Sequence, residues 1–295
     1  MLIRQRIRRF VTHWPRRGWF GLGLIAVFWA VNWTGSGAAR AQWAFFPLWL
    51  GYCLTVDALV FARKGDSLWT RNPRAYVELF FVSAPAWWLF ELLNMRAQNW
   101  SYLGRQLFQG WQYALLASLS FSTVIPAVFG TAELVGTWKR LRGLRPRCRI
   151  SITPTRVRAL FAGGWLMLGL LLLWPRYFFP FLWLSVICVL EPINYRLGNR
   201  SLLTSVAAGD WRPLIALGSG GVVCGFFWEM WNYWSYPKWV YHVPFVGVLH
   251  VFEMPLLGYL GYVPFALELF ALYHLAIGML QSRGDRHFIQ LTPPA

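Results

Sequence analysis

The 295-residue chain is 57% hydrophobic, 19% aromatic and only 13% charged, with a formal net charge of +17. Soluble globular domains carry about a quarter of their residues as charges, so this composition excludes an ordinary soluble fold and predicts an all-α integral membrane protein. A pI near 10.5 is an electrostatic footprint of nucleic-acid binding in a soluble chain, but here the cations fall between apolar segments, membrane topology explains them, and no nucleic acid is expected as partner.

In chain order, residues 1-17 read as a basic cytoplasmic N-terminus. The apolar stretch behind it is long enough to span a membrane, and no Ala-x-Ala site ends it, so it is read as an uncleaved first helix rather than a signal peptide. Eight apolar windows succeed one another at 18-35, 42-62, 75-94, 111-136, 157-174, 177-195, 213-233 and 246-281. Each approaches the ~20 residues that cross a hydrocarbon core of about 30 Å. The last window is unusually long and contains Pro255 and Pro264, so it is expected to tilt, kink or break.

With the N-terminus inside, 23 of the 28 Lys and Arg fall on the cytoplasmic side. That bias predicts both termini in the cytoplasm and a multi-pass protein of the cell inner membrane. The cationic face should also attract anionic lipid headgroups. Cys53, Cys188 and Cys224 lie in predicted spans and Cys148 in a basic loop, a distribution with neither disulfide nor metal spacing.

The windows divide into two tandem four-helix repeats, 18-138 and 157-281, joined by a basic cytoplasmic linker at 139-156 and followed by a cytoplasmic tail at 282-295. At an offset of 134, Trp49 matches Trp183, Asp57 matches Glu191, and Ser67-Leu68 matches Ser201-Leu202. The offset then becomes 138, where Phe90-Glu91 and Asn94 match Trp228-Glu229 and Asn232, and Ile125-Pro126 matches Val263-Pro264. Each copy holds an even number of spans, so the copies are parallel, related by an axis along the membrane normal, with a site expected at their interface.

Acids inside spans are costly and mark candidate sites. Glu91-x-x-Asn94 and Glu229-x-x-Asn232 each place acid and amide on one helix face, toward the outer end of the predicted helix. Such a pair suits a polar headgroup, a protonated acid or a hard cation; equally, it suits interhelical glue. In the second copy, Trp228, Tyr236, Lys238, His242, His250 and Glu253 cluster around the same edge, with His250 and Glu253 three apart on the last predicted helix. Interfacial aromatic belts account for single rings such as Trp234, Tyr236, Trp239 and Tyr241. Glu268 and His274 lie in the last helix, and Glu78 and Glu133 near cytoplasmic ends are expected to pair with Arg. Gly218, Gly220 and Gly221 read as a close helix-packing face. No phosphate loop, zinc helix, nucleophile elbow or haem motif occurs, and neither a cofactor nor a metal is expected.

Asp57-Ala58-Leu59, Gly65, Trp69 and the acidic helix with Glu91 resemble the membrane-bound lycopene cyclases of carotenoid biosynthesis, in which a small helical unit occurs twice. The family's adjacent paired acids are absent, and Glu191 precedes Pro192. The resemblance implies acid/base cyclisation of a polyene, for which Glu229 and Glu91 are the candidate catalytic acids, while the polar and aromatic cluster itself offers Asn94, Asn232, Trp228, Tyr236, Lys238, His250 and Glu253 as candidate ligand-binding residues. Such chemistry needs a carboxylic acid in an apolar site and aromatic faces beside a carbocation. The expected ligand is therefore an isoprenoid, a carotenoid or another membrane lipid. A lipid or ion transporter, or a non-catalytic subunit with membrane-protein partners or a second copy, are the alternatives.

Overall fold

The computed structural model describes residues 14–34, 38–144, 148–280 and 288–292. Its long helices are α1 (Arg16–Thr34), α2 (Ala38–Lys64), α3 (Pro73–Ala97), α4 (Gly110–Phe121), α5 (Val124–Gly136), α6 (Pro154–Leu173), α7 (Ser185–Leu197), α8 (Arg212–Tyr233) and α9 (Tyr262–Leu280). Four short strands, β1 (Trp100–Leu103), β2 (Lys238–Tyr241), β3 (His250–Val251) and β4 (Met254–Pro255), join them, together with helical segments of three to six residues. Seven segments among them are long and apolar enough to cross a membrane, and the chain is an all-α membrane protein apart from these short ribbons.

α1 is 19 residues long but is not one of the seven. Arg16 and Arg17 at its start and Asn32, Trp33 and Thr34 at its end dilute its apolarity. It nevertheless lies along α2, and the crossing is made by glycine. A Cβ on Gly21 would stand 2.7 Å from the Gly51 carbonyl oxygen, so the two backbones touch where side chains are absent.

The fourth predicted window is two helices, α4 and α5, and its break has a local cause. Pro126 has no N–H to offer the Ser122 carbonyl. One residue earlier, the Ser83 hydroxyl enters the gap, donating to the Phe121 carbonyl at 2.5 Å and accepting the Ile125 N–H at 3.0 Å. A hydroxyl from α3 thus replaces the helical bond that the bend opens, as a membrane interior requires.

The last window is broken further back than its prolines suggest. Residues 250–255 form the β3–β4 hairpin, with His250 opposite Pro255, and a 3₁₀ segment at Leu256–Gly261 leads into α9. His250 and Glu253 therefore do not share a helix face. Pro255 and Gly258 punctuate the run VLHVFEMPLLGYL, but neither fixes by pattern where the hairpin ends and the helix begins.

α3, α5, α8 and α9 form the centre, with α1–α2 packed on one flank and α6–α7 on the other. Trp49 is fully buried, its ring 5.0 Å from both Trp228 and Trp231. At one end the basic residues gather. Glu133 pairs with Arg71 and with Lys64 at 3.3 Å, as its position near the end of a span implied. The segment 288–292 docks onto this cluster. Arg71 donates to the Phe288 carbonyl at 2.9 Å, Glu133 accepts the Gln290 N–H at 2.7 Å, and Arg200 bonds the Ile289 carbonyl. Phe288, Ile289 and Leu291 are buried there.

The glycines of α8 do form a packing face. A Cβ on Gly220 would stand 2.8 Å from the Ala132 backbone, and one on Gly221 2.4 Å from the Tyr262 carbonyl oxygen. Backbone cannot yield as a flexible side chain does, and overpacking costs about 1–3 kcal/mol. Gly221→Val is expected to lower the thermal unfolding midpoint in detergent by several degrees, whereas Gly23→Val, which meets nothing within 4 Å, leaves it unchanged.

Candidate functional site

The Glu91 and Glu229 end is organised by two nearly identical turns. α3 ends at Gln98 in a left-handed conformation, which turns the chain back over the bundle. Asn94 then holds the backbone of the next residues: its Nδ2 donates to the Trp100 carbonyl at 2.8 Å, and its Oδ1 accepts the Asn99 N–H at 2.8 Å. Asn232 repeats the pattern at the end of α8, with Nδ2 on the Trp239 carbonyl at 2.8 Å and Oδ1 on the Trp239 N–H at 3.0 Å. Both amides are buried and engaged with backbone, which is a structural role.

The strands so anchored pair antiparallel, Trp100 opposite Tyr241 and Tyr102 opposite Trp239. The alternation sends Trp100, Tyr102, Trp239 and Tyr241 to the inner face of the ribbon, as a period of two dictates. There they meet the acids. Glu91 Oε1 accepts from Trp87 Nε1 at 2.9 Å, Trp100 Nε1 at 3.1 Å and the Tyr102 hydroxyl at 2.5 Å. Glu229 Oε1 accepts from the Tyr262 hydroxyl at 2.5 Å, the Tyr241 hydroxyl at 2.7 Å and Trp239 Nε1 at 3.4 Å. Burial first, and the neighbouring carboxylate second, push the phenols of Tyr102 and Tyr241 well above their usual range, so both remain protonated donors.

One substitution between the halves is compensated in space. Trp87 donates to Glu91, but its counterpart 138 residues on is Gly225. The ring of Tyr262 occupies that room, 2.3 Å from where a Gly225 Cβ would stand, and Tyr262 supplies the missing donor. The counterpart of Tyr262 in the first half is the smaller Val124. The third donor thus comes from α3 itself for Glu91 and from the neighbouring α9 for Glu229.

Beneath the ribbon, between the two halves, lies a cavity of about 440 Å³. Its walls are largely rings, among them Trp87, Trp100, Trp183, Trp228, Trp239 and Phe265. Trp183 stacks on Trp100 at 5.8 Å and on Phe90 at 5.7 Å, a counterpart to the Trp49 and Trp228 contact on the other side.

Of the residues expected to bind or act, Trp228 and Lys238 line the cavity. Glu91 and Glu229 stand behind its wall, reaching it only through the rings that donate to them. Asn94 and Asn232 are spent on backbone. Tyr236 lies against Gly104, next to the cis Tyr236-Pro237 bond. His250 is exposed on the hairpin, and Glu253 pairs with Lys238. His242 bonds Ser101 at 2.9 Å on the exposed side of the ribbon. Two buried amides at the cavity wall, Asn32 and Asn99, were not legible as site residues. The only hint of Asn99 was its place five residues after Asn94, just past the end of the helix.

No protein-family model matches the chain, and neither a curated protein nor a solved structure does.

Glu229 is fully buried, whereas Glu91 is partly accessible. Removing an acceptor strands its donors at about 1–3 kcal/mol for each buried group. Glu229→Leu is therefore expected to destabilise the protein by about 3 kcal/mol or more, and Glu91→Leu by less, because Glu91 is the less deeply buried of the two acids. Denaturant unfolding of both variants in the same detergent tests this order.

Proposed function

We propose that the chain binds an isoprenoid or other lipid in the aromatic cavity between its halves. The observation that carries this reading is the cavity itself, a ring-lined volume of about 440 Å³ set between the ribbon and the helices of an apolar bundle. A ligand dissolved in the bilayer is the kind of molecule that such walls accommodate, since concave apolar sites with few polar groups are the usual form of small-molecule pockets.

The cavity belongs to a molecule of two tandem four-helix units spanning the inner membrane eight times, α1 included. Repeated bonding supports the duplication. Asp57 accepts from Ser67 at 2.9 Å and from the Trp69 N–H at 3.0 Å, and Glu191, 134 residues later, from Ser201 at 2.6 Å and the Leu203 N–H at 3.2 Å. The charge bias of the loops supports cytoplasmic termini, which puts the ribbon and cavity toward the outer face.

A second reading, a lycopene cyclase-like acid/base enzyme, draws support from Tyr102, Tyr241 and Tyr262. Each lines the cavity and donates to Glu91 or Glu229, so a proton from either carboxyl would reach a ligand through a phenol. Lycopene incubated with membranes containing wild type, Tyr262→Phe or Glu229→Gln would yield cyclic product only with wild type on this reading. No product in any sample removes it.

For the binding reading, Ala117→Trp introduces a ring on the cavity wall. Organic extracts of purified wild type should contain an apolar small molecule at near-stoichiometric amount. The variant, folded by thermal melt, should lose most of it. Equal recovery from both, or bulk phospholipid alone in both, would point to a subunit of a larger complex.

A further inference from the structure

We infer that Asn99, assisted by Asn32, forms a polar subsite in the cavity that reads an uncharged hydrogen-bonding head group, a hydroxyl or carbonyl, on an otherwise apolar ligand. This rests on the cavity being a lipid site and goes further by naming the head.

The backbone of Asn99 is fixed on both sides. Its N–H is held by Asn94 at 2.8 Å, and its carbonyl accepts the His242 N–H at 2.7 Å. The side chain has no such use. It is 2% exposed, and neither its Oδ1 nor its Nδ2 has a hydrogen-bond partner in the protein. Asn32 is equally buried at 2%; its Nδ2 donates to the Trp231 carbonyl at 2.7 Å, leaving Oδ1 unpaired. Both residues line the cavity. Buried amides without partners are uncommon because they forfeit their hydration. A turn about the terminal torsion, which is broad for amides, brings either Asn99 atom to the cavity surface.

The charge balance of the wall selects a neutral head. Lys238 is the one charged residue among the described residues lining the cavity, and it is ion-paired with Glu253. Asn99 lies opposite His242 and Lys238 opposite Leu103, so the two stand about 13 Å apart along the ribbon at ~3.3 Å per residue. A phosphate or carboxylate at Asn99 would lose its hydration without meeting a free cation. A cation would meet carboxylates already screened by three ring donors each. A hydroxyl or carbonyl loses little and can use both amides, whereas a pure hydrocarbon leaves them unpaired.

Purified full-length protein in nanodiscs can be titrated with radiolabelled phytanol, phytanyl diphosphate and phytane, which share a saturated C20 chain and differ in head. Wild type should bind the alcohol about ten-fold more tightly than either competitor, equivalent to about 1.4 kcal/mol. Asn99→Leu should abolish that preference while still binding phytane, which also shows that the variant is folded. Asn32→Leu should reduce the preference in part. If the preference survives in both variants, or the diphosphate binds best, the head-group assignment is wrong while the lipid cavity stands. If wild type binds none of the three, the cavity reading itself fails and this inference with it.

Discussion

A carboxylate inside an apolar bundle must receive its hydrogen bonds from the chain itself, because the bilayer offers none. That requirement shapes the cavity end of this protein. Glu91 and Glu229 each draw in three ring donors, and in each set two of the three come from a strand that would otherwise have no reason to fold back over the bundle. Asn94 and Asn232 fix the turns that deliver those strands. The ribbon thus brings ring donors to one oxygen of each acid, while Glu229 Oε2 stays buried without a partner.

The two halves meet this demand by the same means but not with the same residues. Where the first half uses Trp87, the second uses Tyr262 across the gap left by Gly225. Ser83, which bridges the bend before α5, has Gly221 as its counterpart, and there the chain packs backbone directly against the Tyr262 carbonyl. Such exchanges keep packed volume and donor count.

The same distinction separates what was legible from what was not. Hydropathy alone located the seven strongly apolar spans, because a bilayer imposes length and composition directly. Glu91, Asn94, Glu229 and Asn232 stood out because polar groups are rare in such segments. Their partners did not. Trp100, Tyr102, Trp239 and Tyr241 look like members of an interfacial aromatic belt, and strands of four residues are too short for alternation to be distinctive. His250 and Glu253 were misplaced because the run around them stays apolar through the hairpin. The acids proved to stand behind the cavity wall, since i,i+3 spacing fixes a helix face without saying which neighbour that face meets.

The placement of open volume also bears on the alternatives. A transporter needs a polar path between both ends, with each end able to open. Here the centre is filled by Trp49, Tyr52, Thr131 and Cys224, with the Tyr52 hydroxyl 2.9 Å from Thr131 Oγ1. The opposite end is closed by residues 288–292, bound to Arg71, Glu133 and Arg200 from both halves. The cavity thus lies at the ribbon end, lined by ring donors and by the buried amides of Asn32 and Asn99. That geometry favours holding a molecule over passing one through. It also sets what catalysis would require, because a proton leaving Glu91 or Glu229 has no route to the cavity except through the hydroxyls and ring N–H groups that now bind it.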